Sequence, residues 1–299
     1  MGKTITEQTG NKRLLGALCV VITSVCYGLV PSFSFLSFGM GVSTPTLLFD
    51  KFLYAAIIMW AFIFIRRIKF RFSKKATLYM VLSCIGYIGL STCLYISFDY
   101  ISGSLATIVS FTFPAMIVAI EMIFKLEPVK LTKILAVILS FAGLVLIVWD
   151  PDMKANVIGI AFAFGSAICY VVYILGISTK TLKAESTFAI AGYVMLGAAI
   201  FNFFRCLISG EPLFTSTPGQ FGMMILLSVV CVFIAILCYA IGVQMIGPGN
   251  ASLLNTLEPV LACIFGHFII GDVLTNVMII GSILVVAAVL ITNLPERKS

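Results

Sequence analysis

The sequence predicts an all-α polytopic membrane protein of ten transmembrane helices, arranged as two inverted five-helix repeats with both termini in the cytoplasm. Three observations lead there: the composition, the spacing of the apolar runs and the placement of the basic residues. Of 299 residues, 61% are hydrophobic and 10% charged, against about 45–50% apolar and about 25% charged in an average soluble domain. Mean hydropathy is +1.15. A soluble fold is excluded on these grounds.

A helix crossing the roughly 30 Å hydrocarbon layer needs about 20 apolar residues. Ten segments qualify, at 14–35, 45–65, 76–99, 104–124, 131–149, 157–178, 186–208, 220–246, 250–270 and 273–293. The first follows a short polar start and is too long for a signal-peptide core, and no small-residue cleavage pattern follows it, so it is expected to stay as a span. "MGKTIT" has the form of a myristoylation start, but a polytopic protein gains little from one acyl chain.

The basic residues fall in alternate gaps. Lys3, Lys12 and Arg13 precede the first span, "RRIKFRFSKK" (66–75) follows the second, and Lys125, Lys130 and Lys133 lie around the fourth-to-fifth gap. Lys180 and Lys183 follow the sixth span, and Arg297 and Lys298 close the chain. These are 16 of the 19 Lys and Arg, all on one side if the spans cross alternately, which makes that side cytoplasmic. The net charge of +7 is thus accounted for by topology. Basic residues interleaved with surface aromatics, as nucleic-acid binding would require, are missing from the sequence.

The nine cysteines all lie in apolar runs, without a CxxC pair or a His/Cys cluster at metal spacing, and read as buried thiols. No cofactor or metal is expected.

The gap "WDPDMKAN" (149–156) divides the chain into 1–149 and 150–299, five spans each. An odd number of spans per half requires the halves to be inverted relative to each other. Shifting the chain on itself by 145 positions brings Cys93 onto Cys238, Ala106 onto Ala251, Pro114 onto Pro259 and Glu127 onto Asp272. A shift of 143 lays "VCYG" (25–28) over "ICYV" (168–171). Inverted repeats of this kind usually mark a carrier whose substrate site lies near the midplane between the halves.

Several stretches carry a family resemblance. "SVCYGLVPSF" followed by "TPTLLFDKFLYAA", then "YISGSLATIVSFTFPAMIVAIEMIFKLEPVKL" (100–131) and "IGPGNASLLNTLEPVLACIFGHFIIGDVLTNVMIIGSILVVAAVLI" (246–291), resemble the EamA-type branch of the drug/metabolite transporter superfamily. The resemblance covers nearly the whole chain. Tyr27 stands in the usual Trp place, Lys51 in the usual Arg place, Asp272 for the commoner Glu, and Ala136 where Gly is frequent. Lys51 cannot reproduce a bidentate guanidinium contact. What the resemblance implies is secondary transport of a small metabolite across the cell membrane, often export of an amino acid or related compound. It also implies a central cavity lined by spans 1, 3, 4, 6, 8 and 9, with Tyr27, Tyr95, Tyr170 and Tyr173 on spans around it. Each of these tyrosines reads either as a substrate contact or as packing.

Proline deprives the carbonyl four residues earlier of its helical partner. Pro31, Pro114 and Pro259 therefore free the carbonyls of Tyr27, Ser110 and Asn255, and Ser110 and Asn255 are repeat partners. Irregular backbone in a membrane persists only where protein or a wet cavity satisfies it, so these sites read either as polar cavity walls or as packed kinks answered by Ser, Thr or Asn.

Glu258 lies eight residues into its span, about 12 Å from the cytoplasmic boundary at 1.5 Å per residue. A charge at that depth costs roughly 2.5–3.5 kcal/mol and normally faces an interior, pairs or titrates. Glu258 reads as a carboxylate for a cationic substrate group or a coupling proton, with Asn255 on the same helix face. The plainer reading is a hydrogen-bonded tie between helices. Glu121 sits nearer the cytoplasmic end, with Lys125 one turn on, and reads as a structural pair or gate. Lys51 reads as a vestibule charge or an anchor, Arg205 as a snorkelling residue, and His267 lies on the far side of the helix from Glu258.

The composition of the spans argues against an enzyme: there is one His, and no HExxH or Ser-His-Asp set is available inside them. A channel would need its midplane polar groups to line a continuous pore. The expected partners are a small-molecule substrate, a coupling proton and membrane lipid, with no nucleic acid.

Overall fold

The computed structural model describes residues 2–101, 103–124, 131–149 and 156–293, and among them every regular element is helical. Nine helical stretches of the described residues are long and apolar enough to cross a membrane, numbered here as spans 1 to 9: Lys12–Gly39, Thr44–Ile65, Lys74–Phe98, Leu105–Ile123, Leu131–Val148, Val157–Ser178, Thr187–Ser209, Pro218–Ile246 and Pro248–Ile270. A shorter apolar helix, Asn276–Ile291, occupies the place of the tenth expected crossing.

The helix ends follow local chemistry. Ser73 and Asn156 accept hydrogen bonds from the backbone N–H groups of Ala76 (3.2 Å) and Ile158 (2.9 Å), covering donors that the first turns of spans 3 and 6 leave open. Thr217 and Gln220 form a reciprocal capping box at the start of span 8. Gly210 and Gly271 end spans 7 and 9 with φ of 67° and 79°, a left-handed conformation that glycine adopts without a Cβ penalty.

Three spans are broken where the sequence places its prolines. Span 1 divides into Gly2–Gly28 and Val30–Gly39 around Pro31, span 4 into Gly103–Ser110 and Phe113–Ile123 around Pro114, and span 9 into Pro248–Asn255 and Leu257–Ile270 around Pro259. Threonines tie two of the breaks: the Thr112 hydroxyl donates to the Val109 carbonyl at 2.7 Å and the Thr256 hydroxyl to that of Leu253 at 2.6 Å. These are not the carbonyls of Ser110 and Asn255 that the prolines free.

Span 8 carries an irregularity that no proline announces. Its middle, Leu227–Ile234, is π-helical between two α-helical stretches. The segment is dense in β-branched residues (Val229, Val230, Val232, Ile234), which crowd the preceding helical turn, and single π segments cluster at functional sites.

Span 3 packs along span 6 and span 1 along span 8, which is the same pairing seen from opposite halves. Span 2 packs on span 7, span 4 on span 9, and span 5 on the last helix, and each of these pairs joins counterparts in the two halves. Small residues set the closest approaches. A Cβ on Gly143 would stand 2.5 Å from the Gly281 carbonyl oxygen and a Cβ on Gly281 equally close to that of Gly143, so span 5 and the last helix cross backbone to backbone. Gly86 brings span 3 onto the span 6 backbone at Cys169 and Tyr173.

Candidate substrate site

Glu258 begins the second half of span 9, immediately after the break at Thr256, so its side chain enters the bundle where the helix changes direction. The Asn255 amide nitrogen donates to Glu258 Oε2 at 3.0 Å, and the Ser24 hydroxyl of span 1 lies 3.3 Å from Asn255 Oδ1. Spans 1 and 9 are thereby joined by a serine–amide–carboxylate chain. Asn255 is fully buried and Glu258 partly so. Shared helix face, the property on which the sequence pairs these two residues, is what the break preserves.

Aromatic side chains from six spans form a cluster that reaches that carboxylate. Tyr170 and Tyr173 of span 6 stack at 6.1 Å, and Tyr239 of span 8 lies 6.1 and 6.4 Å from them. Tyr87 of span 3 meets Tyr173 edge-on at 5.2 Å, and Phe113 of span 4 touches Tyr170 at 4.3 Å. Phe52 of span 2 closes on Tyr87 at 5.9 Å. Tyr27 of span 1 lies beside Tyr87, and Tyr27, Tyr87, Tyr170 and Tyr239 are all within electrostatic reach of Glu258.

One group in this cluster lacks a partner among the described residues. The Tyr173 hydroxyl is buried without a hydrogen bond, a situation that costs about 1–3 kcal/mol, whereas the Tyr239 hydroxyl lies against that of Tyr170. An unsatisfied hydroxyl in such a cluster is what a polar ligand would satisfy.

Sequence reasoning named Tyr27, Tyr170 and Tyr173 but not Tyr87, Tyr239, Phe52 or Phe113. A signal for Tyr239 was present: the Cys-Tyr dipeptide of spans 1 and 6 recurs at Cys238–Tyr239. Tyr95 is placed apart. It lies eight residues beyond Tyr87, about 12 Å along the same helix, and packs against Phe98 while the Arg205 guanidinium of span 7 lies 5.7 Å from its ring centroid. Ser110 is buried one turn from Phe113, 2.9 Å from the Ser166 hydroxyl of span 6, so it joins two spans at the edge of the cluster.

Glu121 belongs to a separate assembly. It is completely buried; Lys133 at the start of span 5 donates to its Oε2 at 2.5 Å, and the Gly249 N–H at the start of span 9 donates to its Oε1 at 2.7 Å. The partner expected from sequence, Lys125, lies outside the described residues; helix-face spacing alone could not reveal a partner on the next span. Carboxylate, ammonium and helix N-terminus together bind the first half of the chain to the second.

At the opposite end of the bundle Asp50 accepts the Thr215 N–H at 3.1 Å, and the Gln220 amide donates to the Met40 carbonyl at 2.9 Å, stitching the segment between spans 7 and 8 to spans 1 and 2. Lys51, adjacent to Asp50 but on another helix face, is 7% exposed with its ammonium 5.3 Å from the Phe52 ring centroid. His267 is exposed and its Nδ1 lies 2.7 Å from the Asp272 carbonyl oxygen, a local contact at the end of span 9. A groove of about 490 Å³ between span 9 and the last helix, lined by residues such as Val260, Ile264, Met278 and Ile283, is almost wholly apolar and separate from the tyrosine cluster. Among the described residues no group of His, Cys, Asp and Glu could hold a metal ion.

The fold and sequence have known counterparts. The chain aligns with an uncharacterized transporter, YyaM, of Bacillus subtilis (strain 168) at 23% identity over 247 residues, 80% of each protein. It aligns with the threonine/homoserine exporter RhtA of Escherichia coli (strain K12) at 22% identity over 231 residues, 77% of this chain and 76% of the exporter. A solved crystal structure superposes with a TM-score of 0.78 at 18% identity, covering 95% of this chain and 98% of the other, a likeness of fold. The model of the EamA-like transporter family matches twice, at residues 14–149 and 157–294. Spanning nearly the whole chain, that double match establishes that the protein belongs to the EamA-like transporter family and is a membrane-embedded transporter, not an enzyme.

Proposed function

We propose that this chain is a secondary carrier that exports a small amine-bearing metabolite, an amino acid or related compound, across the cytoplasmic membrane by alternating access. One observation carries the reading: Glu258, held by Asn255 and partly buried at the span 9 break, lies within reach of a cluster of tyrosines in which the Tyr173 hydroxyl lacks a partner among the described residues. A carboxylate among aromatic faces is suited to an ammonium group, which gains from the charge and from the ring quadrupoles together. In the absence of substrate the same carboxylate is the group that holds a coupling proton. The kinked spans and the counterpart pairing of the halves support a carrier that rocks about this site. The tie between the halves through Glu121, Lys133 and Gly249 is suited to a gate. The direction and the amino-acid class draw support from the likeness to RhtA, a threonine/homoserine exporter, at 22% identity.

A thermal-stability screen of the purified protein tests this, because a ligand that binds the folded state raises its stability by mass action. Amine-bearing metabolites should stabilise the wild type, and Glu258→Gln should lose that response while melting as a folded protein. Stabilisation of Glu258→Gln by the same compounds at the same concentrations would remove the amine-binding role.

A further inference from the structure

Lys51 is a buried cation of span 2. Its residue is 7% exposed, in the interior of span 2. Among the described residues no carboxylate pairs with it: the adjacent Asp50 turns to the Thr215 N–H, Glu121 binds Lys133 and Glu258 binds Asn255. What it has is the face of Phe52, with its ammonium 5.3 Å from the centroid, and the neighbouring Cys231 thiol of span 8. A desolvated ammonium normally finds an anion or neutralises, and an aromatic face supplies only part of what a carboxylate would.

Its position ties it to the substrate site. The ring beneath the ammonium, Phe52, packs edge-on against Tyr87, and Tyr87 is within electrostatic reach of Glu258. Lys51 is thus linked to Glu258 through Phe52 and Tyr87, with the cation on span 2 and the carboxylate at the span 9 break. The π-helical part of span 8 packs against span 2 and contains Cys231, the thiol beside Lys51. Segments of π-helix occur frequently at functional sites.

We propose that Lys51 recognises an anionic group of the substrate, so that the transported molecule is a zwitterion whose carboxylate meets Lys51 and whose amine meets Glu258. The proposal rests on the reading of Glu258 given above and adds the second pole. A single ammonium without an Arg fork or a second cation suits a monoanion such as a carboxylate. With the carboxylate bound, the ammonium of Lys51 gains its missing partner, and the zwitterion enters without net charge added to the site.

The test compares each free amino acid with its methyl ester, which keeps the amine and neutralises the other end. Purified full-length protein is titrated with the panel and its melting temperature read. At least one amino acid should stabilise the wild type, with its methyl ester binding about tenfold or more weakly, the loss expected for one charge-assisted hydrogen bond. Lys51→Met should bind acid and ester alike, and Lys51→Arg should restore the preference for the acid. Equal stabilisation by acid and ester in the wild type overturns the assignment, as does a panel in which no amino acid shifts the melting temperature. If acid and ester bind equally and Glu258→Gln abolishes both, the amine reading stands and the Lys51 assignment alone falls. If amino acids stabilise Glu258→Gln as well as the wild type, the amine reading falls and the zwitterion with it. The wild-type comparison needs no variant, so a misfolded Lys51→Met does not shelter the proposal.

Discussion

Lys133 donates to the completely buried Glu121 at 2.5 Å, and the same carboxylate accepts the Gly249 N–H of the opposite half of the chain at 2.7 Å. Span 4 ends and spans 5 and 9 begin at this point, so one carboxylate holds three helix ends together. Breaking a buried pair by removing one partner costs about 3–5 kcal/mol, because the other charge is left uncompensated. Lys133→Met should therefore lower stability sharply, whereas the double replacement Glu121→Gln with Lys133→Met should recover much of the loss, as read by thermal melts of the purified proteins. A double variant no more stable than the single one would mean that the pair is not what holds this end.

Gly249 is a separate probe of the same contact. A Cβ there would run into the Glu121 carboxylate and the Lys133 ammonium. Gly249→Ala should open the seal, and a cysteine introduced at Ser252, buried one turn on, should gain reactivity with a membrane-impermeant thiol reagent in that background. Unchanged protection would place the seal elsewhere.

At the crossing of span 5 with the last helix, Gly143→Leu should separate the two helices. Overpacking of this kind costs about 1–3 kcal/mol, and here the obstacle is backbone: the Gly281 carbonyl oxygen, 2.5 Å from a Cβ at 143. A melting temperature unchanged from wild type would show that the helices can shift apart freely.

The unpaired Tyr173 hydroxyl offers a prediction with opposite signs in two assays. Tyr173→Phe removes a buried hydroxyl that has no partner among the described residues, so the substrate-free protein should be as stable as the wild type or more so, by up to about 1–3 kcal/mol. Transport should weaken if the substrate satisfies that hydroxyl. Loss of stability without loss of transport would assign the hydroxyl to the fold instead.

Much of the architecture is legible in the sequence for physical reasons. Apolar runs must match the thickness of the hydrocarbon layer, and Pro31, Pro114 and Pro259 break their helices wherever they stand. The Asn255–Glu258 contact follows from helix spacing alone. Contacts between spans were not legible. Nothing in the sequence links Glu121 to Lys133 rather than Lys125, or gathers Tyr87, Phe52 and Tyr239 about Tyr173, because these meetings depend on which helices pack and at what rotation. The π segment of span 8 was hidden for a different reason, as β-branched residues are common in membrane helices and only their crowding in context changes the turn. Ser110 and Asn255, repeat partners that read from sequence either as cavity walls or as packed kinks, are both buried here. Cysteines at these positions should resist water-soluble thiol reagents in this conformation and react only when the bundle opens.

The proposed role of Glu258 is to bind the substrate of a carrier. Counterflow in proteoliposomes loaded with one amino acid and supplied with the same labelled compound measures this most directly. Wild-type protein should give saturable, transient accumulation of label with at least one amino acid, and correctly folded Glu258→Gln should give none. Counterflow by Glu258→Gln at the wild-type rate would contradict the claim.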